Sequence, residues 1–107
     1  MAITGITIHS DEHERFFKRG ILLHFSNGYR MSVIYGTGAY SNTLNGNRHP
    51  EKPDTSLPEA SRVEVAVMRP DGSFVPFADG EDVRGFADFD TVLKIAQWTD
   101  GLAAANA

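Results

Sequence analysis

The sequence predicts an α+β fold: an antiparallel β-sheet of two hairpins in a meander-like order, with one C-terminal helix packed on one face. Three observations predict it. Two β-rich segments flank an Asn-Gly turn, two more flank a Pro-Asp-Gly turn, and a final apolar stripe has helical spacing. The 107 residues have the length of a single domain, 1–107. We divide it into an N-terminal arm (1–19), a long polar loop (36–61) and a C-terminal helix (88–100), with the hairpins between them.

The N-terminal arm begins with an alternating segment, ITGITI at residues 3–8, which predicts a short strand. Residues 9–19, HSDEHERFFKR, are charged, and we predict a helical turn that starts after Ser10. On such a turn His9 and His13, four positions apart, would share one face, as two zinc ligands do. Because no third or fourth ligand is evident, we expect no metal site.

The strongest local signal is residues 20–36, GILLHFSNGYRMSVIYG, which predict a hairpin around Asn27 and Gly28. A three-residue loop, with Gly28 in the left-handed region, places Leu23 opposite Met31. A two-residue loop would shift the register by one and mix the two faces, so the apolar pattern favours the three-residue loop. That loop gathers one apolar face: Ile21, Leu23, Phe25, Tyr29, Met31, Val33 and Tyr35.

A second hairpin is predicted at residues 62–77, RVEVAVMRPDGSFVPF, with its turn at residues 70–72. The expected pairs are Val67 with Val75 and Val65 with Phe77. Pro76 has no N–H to donate, so we expect its strand at an edge of the sheet. Residues 81–86, EDVRGF, predict one more short strand.

The C-terminal helix is predicted from its cap, its stripe and its stop signal. Asp88 is the expected N-cap, Asp90 favours the first turn, and Gly101 ends the helix. The expected buried stripe is Phe89, Val92, Leu93 and Ala96. A single helix covers one face of a sheet, which leaves the other face to be explained.

The second sheet face mixes apolar and charged side chains. Its predicted members are Leu22, Ile34, Ala66, Met68 and Phe74, together with His24, Arg30 and Glu64. Two explanations remain open. Either Phe16 and Phe17 of the N-terminal arm cover part of this face, or it is the interface of a homo-oligomer.

Composition excludes some classes of function. The net charge of −4 argues against binding of bulk nucleic acid, which needs clustered lysine and arginine. The chain has no cysteine, which fits a reducing cytoplasm. No apolar segment is long enough to cross a bilayer, and the N-terminus lacks the layout of a signal peptide. No catalytic motif appears, so we expect no enzyme and no cofactor.

The loop at 36–61 is far longer than an ordinary connection, which indicates a functional or unstructured segment. Its first half carries aromatic, amide and cationic groups of the kind that stack on a base and hold a phosphate. The candidate binding residues in it are Tyr40, Asn42, Asn45, Arg48 and His49. If the loop is only a connector, the site is expected on the face that carries His24 and Arg30.

The segment at 27–45, NGYRMSVIYGTGAYSNTLN, resembles a segment of small accessory proteins of tailed bacteriophages. The matching residues are Asn27, Gly28, Tyr29, Ser32, Val33, Tyr35, Gly36, Gly38, Tyr40 and Asn42. The valine-rich strand, the Asp-Gly turn and the closing helix fit the same layout. The resemblance implies a protein made in the host cytoplasm. It also implies an inhibitor of host antiviral defence that binds a host protein, or an oligomeric sponge for a nucleotide-like signalling molecule.

Overall fold

The computed structural model describes residues 2–12, 17–36, 39, 41 and 61–103. Its elements are β1 (Ile3–Glu12), β2 (Phe17–Phe25), β3 (Arg30–Tyr35), β4 (Val63–Met68), β5 (Val83–Ala87) and α1 (Phe89–Asp100). The strands lie in the sheet in their chain order, and each pairs antiparallel with the next. Helix α1 packs against β3 and β4 on one face of the sheet. The predicted α+β fold is therefore confirmed, with five strands.

The β2–β3 hairpin has the predicted register. Leu23 lies opposite Met31, and the Phe25 N–H donates to the Tyr29 carbonyl at 2.9 Å. Gly28 has a φ of +92°, the left-handed conformation that the three-residue loop requires. Turn chemistry and apolar alternation agree here, and their agreement fixed the register in advance.

The second turn repeats this geometry, but its hairpin is shorter than predicted. Gly72 has a φ of +89°, and the Val75 N–H donates to the Val67 carbonyl at 2.8 Å. The predicted pair of Val65 with Phe77 is wrong, because Val65 lies opposite Arg84 of β5. Pro76 explains the difference: without an N–H it cannot continue the ladder, so the chain leaves the sheet and β5 takes the edge position.

The predicted helical turn after Ser10 is also wrong. Strand β1 continues through this residue to Glu12, where it lies opposite Phe17 at the start of β2. A short charged helix would bury nothing and would leave the edge of β2 unpaired, whereas an extended chain satisfies both backbones. Phe16, one of the two residues expected to cover the second face, lies outside the described residues.

The core lies between α1 and the sheet. Its buried side chains are Phe25, Met31, Val63, Val65, Val67, Ala87, Ile95 and Ala96. The β-branched valines of β4 suit a central strand that is covered on this face. Asp88 caps α1 as predicted by accepting a hydrogen bond from the Thr91 N–H at 2.8 Å.

Helix α1 is rotated relative to the predicted stripe. Phe89 is 50% exposed and Leu93 is 61% exposed, whereas Ile95 and Thr99 are buried. Thr99 can be buried because its hydroxyl donates to the Ile95 carbonyl at 2.7 Å, so no polar group is left unsatisfied. The helix therefore presents Ile95, Ala96 and Thr99 to the sheet and leaves three large apolar side chains exposed, Phe89, Leu93 and Trp98. This helix is too short and too polar to cross a membrane, and no other helix lies in the described ranges.

Candidate functional site

The sheet face opposite α1, here called the open face, carries two kinds of side chain. Its apolar members are Leu22, Ile34, Ala66, Met68, Phe74 and Val83, and its polar members are Thr7, His9, Lys18, His24, Arg30, Ser32 and Glu64. The strand registers place them together, because residues directly opposite each other in an antiparallel sheet share a face. The structure thus confirms the predicted composition of this face and adds Thr7, His9, Lys18 and Val83.

Two shallow depressions lie next to each other on the open face, and both include His9, Ser32 and Ile34. The first, of about 200 Å³, reaches Lys18. The second, of about 280 Å³, reaches the apolar end of the face at Phe74. The two separate depressions follow one another across the sheet and are here called the groove of the open face, with Lys18 at one end and Phe74 at the other.

Gly20 explains part of the depth of these depressions. It lies on the open face between His9 and Ile34, where any other residue would project a side chain. A Cβ atom at this position would lie 1.9 Å from the Val33 carbonyl oxygen, so the two strands could not approach as they do. Glycine in a strand interior commonly marks such a close backbone approach, and here it also leaves the depression empty of a side chain.

His24 and Arg30, which the sequence proposed as binding residues, lie opposite each other on the open face. The His24 Nε2 atom is 2.8 Å from the Thr7 hydroxyl oxygen. The Arg30 guanidinium donates to the Arg69 carbonyl at 3.4 Å. Both side chains are half-buried, so they are oriented by the sheet while keeping part of their surface available to a partner.

The other predicted site residues, Tyr40, Asn42, Asn45, Arg48 and His49, lie outside the described residues. The structure therefore describes only the beginning of their loop. There the Ser41 hydroxyl accepts a hydrogen bond from the Gly36 N–H at 2.9 Å and donates to the Gly36 carbonyl at 3.1 Å. This pair of bonds fixes the first residues of the loop to the end of β3.

A second groove, here called the Trp98 groove, lies on the helix side of the sheet and has a volume of about 470 Å³. Its lining is Pro76, Phe77, Ala78, Arg84, Lys94, Ile95 and Trp98. The Phe77 and Trp98 rings form one wall, with centroids 5.8 Å apart. The Arg84 guanidinium lies 5.2 Å from the Phe77 centroid, within range of a cation–π interaction.

The rim of the Trp98 groove is fixed by a polar turn. The Asp79 carboxylate accepts from the Glu81 N–H at 3.0 Å and from Arg84 at 2.9 Å. These contacts hold the pKa of Asp79 below its ordinary value of 3.8, and the backbone hydrogen bond from Glu81 is the largest cause. The arginine is therefore oriented by a carboxylate on one side and an aromatic ring on the other.

Sequence reasoning missed this groove for a definite reason. Phe77 was placed in a strand opposite Val65, and Trp98 lay off the predicted helix stripe. The usable signal was Pro76, since a chain that must leave the sheet there brings the next aromatic residue toward the helix.

A search against protein-family models, curated proteins and solved structures finds no match to this chain. Within the described ranges, no group of three or more His, Asp or Glu side chains is placed to hold a metal ion. The open face and the Trp98 groove are therefore the two candidate binding surfaces.

Proposed function

We propose that this protein is a non-enzymatic binding protein that holds a protein partner on the open face of its sheet. One observation carries the proposal: in the described part of the chain, the open face has apolar side chains across all of its central strands and no helix packed over it. Phe74 is exposed and most of the other apolar members are half-buried. An apolar surface that is partly accessible and mixed with polar groups is typical of a protein–protein interface.

The shape of the face favours a protein over a small molecule. Pockets for small ligands usually enclose about 300–1,000 Å³. Each of the two depressions, of about 200 and 280 Å³, lies below that range. A flat surface with shallow relief can instead receive several side chains from one partner, each filling part of the groove.

The charges indicate what the partner carries. Lys18 lies at one end of the groove, and His24 and Arg30 lie at the other end of β2 and β3. Glu64 is an acidic member of the face, and the strand register also sets Asp11 opposite Lys18. A partner with carboxylates spaced around an apolar centre would complement this arrangement and would be steered toward it.

The phage resemblance supplies the biological setting for the proposal. In that setting the partner is a host protein in the cytoplasm of an infected bacterium, and binding inhibits an antiviral defence. Residues 42–49 of the loop, which follow β3 in the chain, would add Arg48 and His49 to the contact.

The test is a capture experiment with matched variants. Immobilised protein is incubated with a bacterial lysate, and retained proteins are identified by mass spectrometry. Phe74 is 44% exposed on the open face, so Phe74→Glu should remove the specific partner without unfolding the chain. The control, Trp98→Ala, changes a side chain of similar exposure on the other side of the sheet and should retain it.

The decisive step repeats the measurement with the purified partner by calorimetry. Loss of binding in Phe74→Glu, with retention in Trp98→Ala, supports the open face as the site. Equal affinity of both variants and the wild type would rule the open face out.

The Trp98 groove favours a second candidate, the sequestration of a nucleotide-like ligand. Its volume of about 470 Å³ falls within the small-molecule range. An aromatic wall and the cations Arg84 and Lys94 are the groups that a base and a phosphate require.

Trp98 is the only tryptophan of the chain, so its fluorescence reports on the groove directly. Titration with a panel of mono- and dinucleotides should quench it if this candidate is correct, and Lys94→Glu should abolish the quenching. Unchanged fluorescence would dismiss the candidate.

A further inference from the structure

Among the described strands, β1 lies at an edge of the sheet, and its outer backbone groups can be identified. In an antiparallel pair, residues that exchange both hydrogen bonds alternate with residues that exchange none. The second hairpin shows this spacing directly: Arg69 bonds Ser73, and the next bond joins Val75 to Val67, two residues further along.

The same count applies to the β2–β3 hairpin. Phe25 bonds Tyr29, so the bonded pairs that follow are Leu23 with Met31 and then Ile21 with Val33. Leu23 and Ile21 therefore direct their backbone groups toward β3. Leu22, which lies between them, directs its backbone groups toward β1. In β1, Ile6 lies opposite Leu23 and Ile8 lies opposite Ile21, so the N–H and C=O groups of Ile6 and Ile8 point away from the sheet.

The side chains of the same two residues are also exposed. Ile6 is 58% exposed and Ile8 is 76% exposed, although both lie on the sheet face that carries the core. The reason is geometric: α1 makes its main contacts with the sheet at β3 and β4. One short segment thus presents backbone donors and acceptors together with two large apolar side chains.

The opposite edge of the sheet shows how a protected edge is built. Strand β5 has only five residues, its pairing with β4 contains a register shift, and Phe86 has a φ of +51°. Natural proteins use short strands, irregular backbone and charges to prevent pairing at an edge. Strand β1 has ten residues, and positions 3–8 contain no charge and no proline. Its central segment therefore lacks the protective charge and proline.

We propose that a second copy of this chain pairs antiparallel with β1, with the two-fold axis at Thr7. This places Ile6 of each copy opposite Ile8 of the other, so that the outward backbone groups meet and the exposed side chains cover one another. A register centred between two residues would set outward groups against inward ones and cannot form a ladder.

One further feature selects Thr7 as the centre. Gly5 lies opposite His9 of the second copy on the open face, so the missing side chain leaves room for the imidazole. The two five-stranded sheets become one, and their open faces join into a single surface.

Light scattering on the full chain tests the interface. The wild type should have twice the 11.7 kDa of one chain. Ile8→Pro removes an N–H that β2 does not use, and Ile6→Lys places a charge at the contact; each should halve the mass and leave the circular dichroism unchanged. Phe86→Lys, the same kind of change at the other edge, should remain a dimer. Dissociation by Phe74→Glu instead would place the interface on the open face and overturn the proposal, as would a monomeric wild type.

A disulfide test fixes the register. The chain has no cysteine, so Thr7→Cys introduces the only thiol. Thr7 would lie opposite its own copy in a non-bonded pair, where Cα atoms are about 4.5 Å apart, within the range for a disulfide. Mild oxidation should therefore link most of the Thr7→Cys protein into covalent dimers. Ser10→Cys is the control, because its two copies would lie about 20 Å apart and should stay unlinked. Efficient linkage of Ser10→Cys but not Thr7→Cys would refute this register.

Discussion

The side-chain amide of Asn27 donates a hydrogen bond of 2.8 Å to the carbonyl oxygen of Thr99, near the C-terminal end of α1. The same nitrogen donates to the Leu102 carbonyl at 3.0 Å, while the side-chain oxygen accepts from the Tyr29 N–H at 3.1 Å. The last carbonyls of a helix have no partner within the helix. A residue of the β2–β3 turn therefore adds a side-chain donor to the Thr99 carbonyl, which also accepts from the Leu102 N–H, and joins the hairpin to the helix.

We expect Asn27→Asp to destabilise the fold by roughly 1–3 kcal/mol, because a donor is lost and a negative charge is placed at the negative end of the helix. The substitution keeps the shape and the acceptor for Tyr29, so the turn itself should survive. Urea denaturation at neutral pH measures the effect. A variant as stable as the wild type would show that the bonds to Thr99 and Leu102 contribute nothing net.

Gly28→Val should destabilise the fold by on the order of 1–3 kcal/mol, since a β-branched residue is strained at the observed φ of +92°. The structure adds a steric cause: a Cβ atom here would lie 2.9 Å from Cγ of Pro70 in the other turn. The double variant Gly28→Val, Pro70→Ala separates the two causes. In thermal unfolding, the double variant should be more stable than Gly28→Val, because the clash with Pro70 is removed. If the stability losses of the two single variants simply add in the double variant, the contact is contradicted.

Gly20→Ala should be strongly destabilising, because the added methyl group would meet backbone atoms of Val33 and Ile34 that cannot move without separating β2 from β3. Gly101→Ala is the matched control: its Cβ atom would make ordinary contacts of 3.6 Å, and its φ of −87° suits any residue. Comparison of the two melting temperatures is sufficient. A larger loss in Gly101→Ala would refute the close approach at Gly20.

The Asp88 cap should make stability depend on pH in the acid range. The pKa of Asp88 is lowered from 3.8, chiefly because the Thr91 N–H donates to its carboxylate. A lowered folded-state pKa adds stability that is present above the unfolded pKa and is lost as the pH falls through the folded one. Asp88→Ala should therefore melt below the wild type at pH 7, and the gap should narrow below pH 3.8. Asp90→Ala, which removes a carboxylate from the same turn but not the cap, should show a smaller gap. A gap that is constant down to pH 2 would contradict a charged cap.

The parts of the fold that were predictable are those in which local signals agree. Around Gly28, turn chemistry and apolar alternation select the same register, and the structure has it. Strand β1 beyond Ile8 was not predictable in this way, because its last residues are polar and charged. Their conformation is decided by the unpaired edge of β2, a partner elsewhere in the chain that no local pattern records.

The candidate site was predictable only in part. The composition of the open face, with His24 and Arg30, follows from strand alternation once the register is known. The Trp98 groove does not, since it depends on the rotation of α1 and on the path of the chain after Pro76. Helical spacing predicts that Phe89 and Leu93 are as buried as Ala96. Only the packing of α1 against β3 and β4 shows that Ala96 is buried while the other two are exposed.

The meander has a consequence for how the molecule opens. Each strand pairs with its neighbour in the chain, so most of the sheet can form through short loop closures. Two hydrogen bonds instead join residues that are far apart in the chain: Ala2 with Asp100, the last residue of α1, and Asn27 with Leu102, just beyond it. We therefore expect α1 to detach as one cooperative unit while β3 and β4 remain paired. Native-state hydrogen exchange would show it as a shared, lower opening free energy for the amides of α1 than for those of β3; equal values would mean that the helix and the sheet open together.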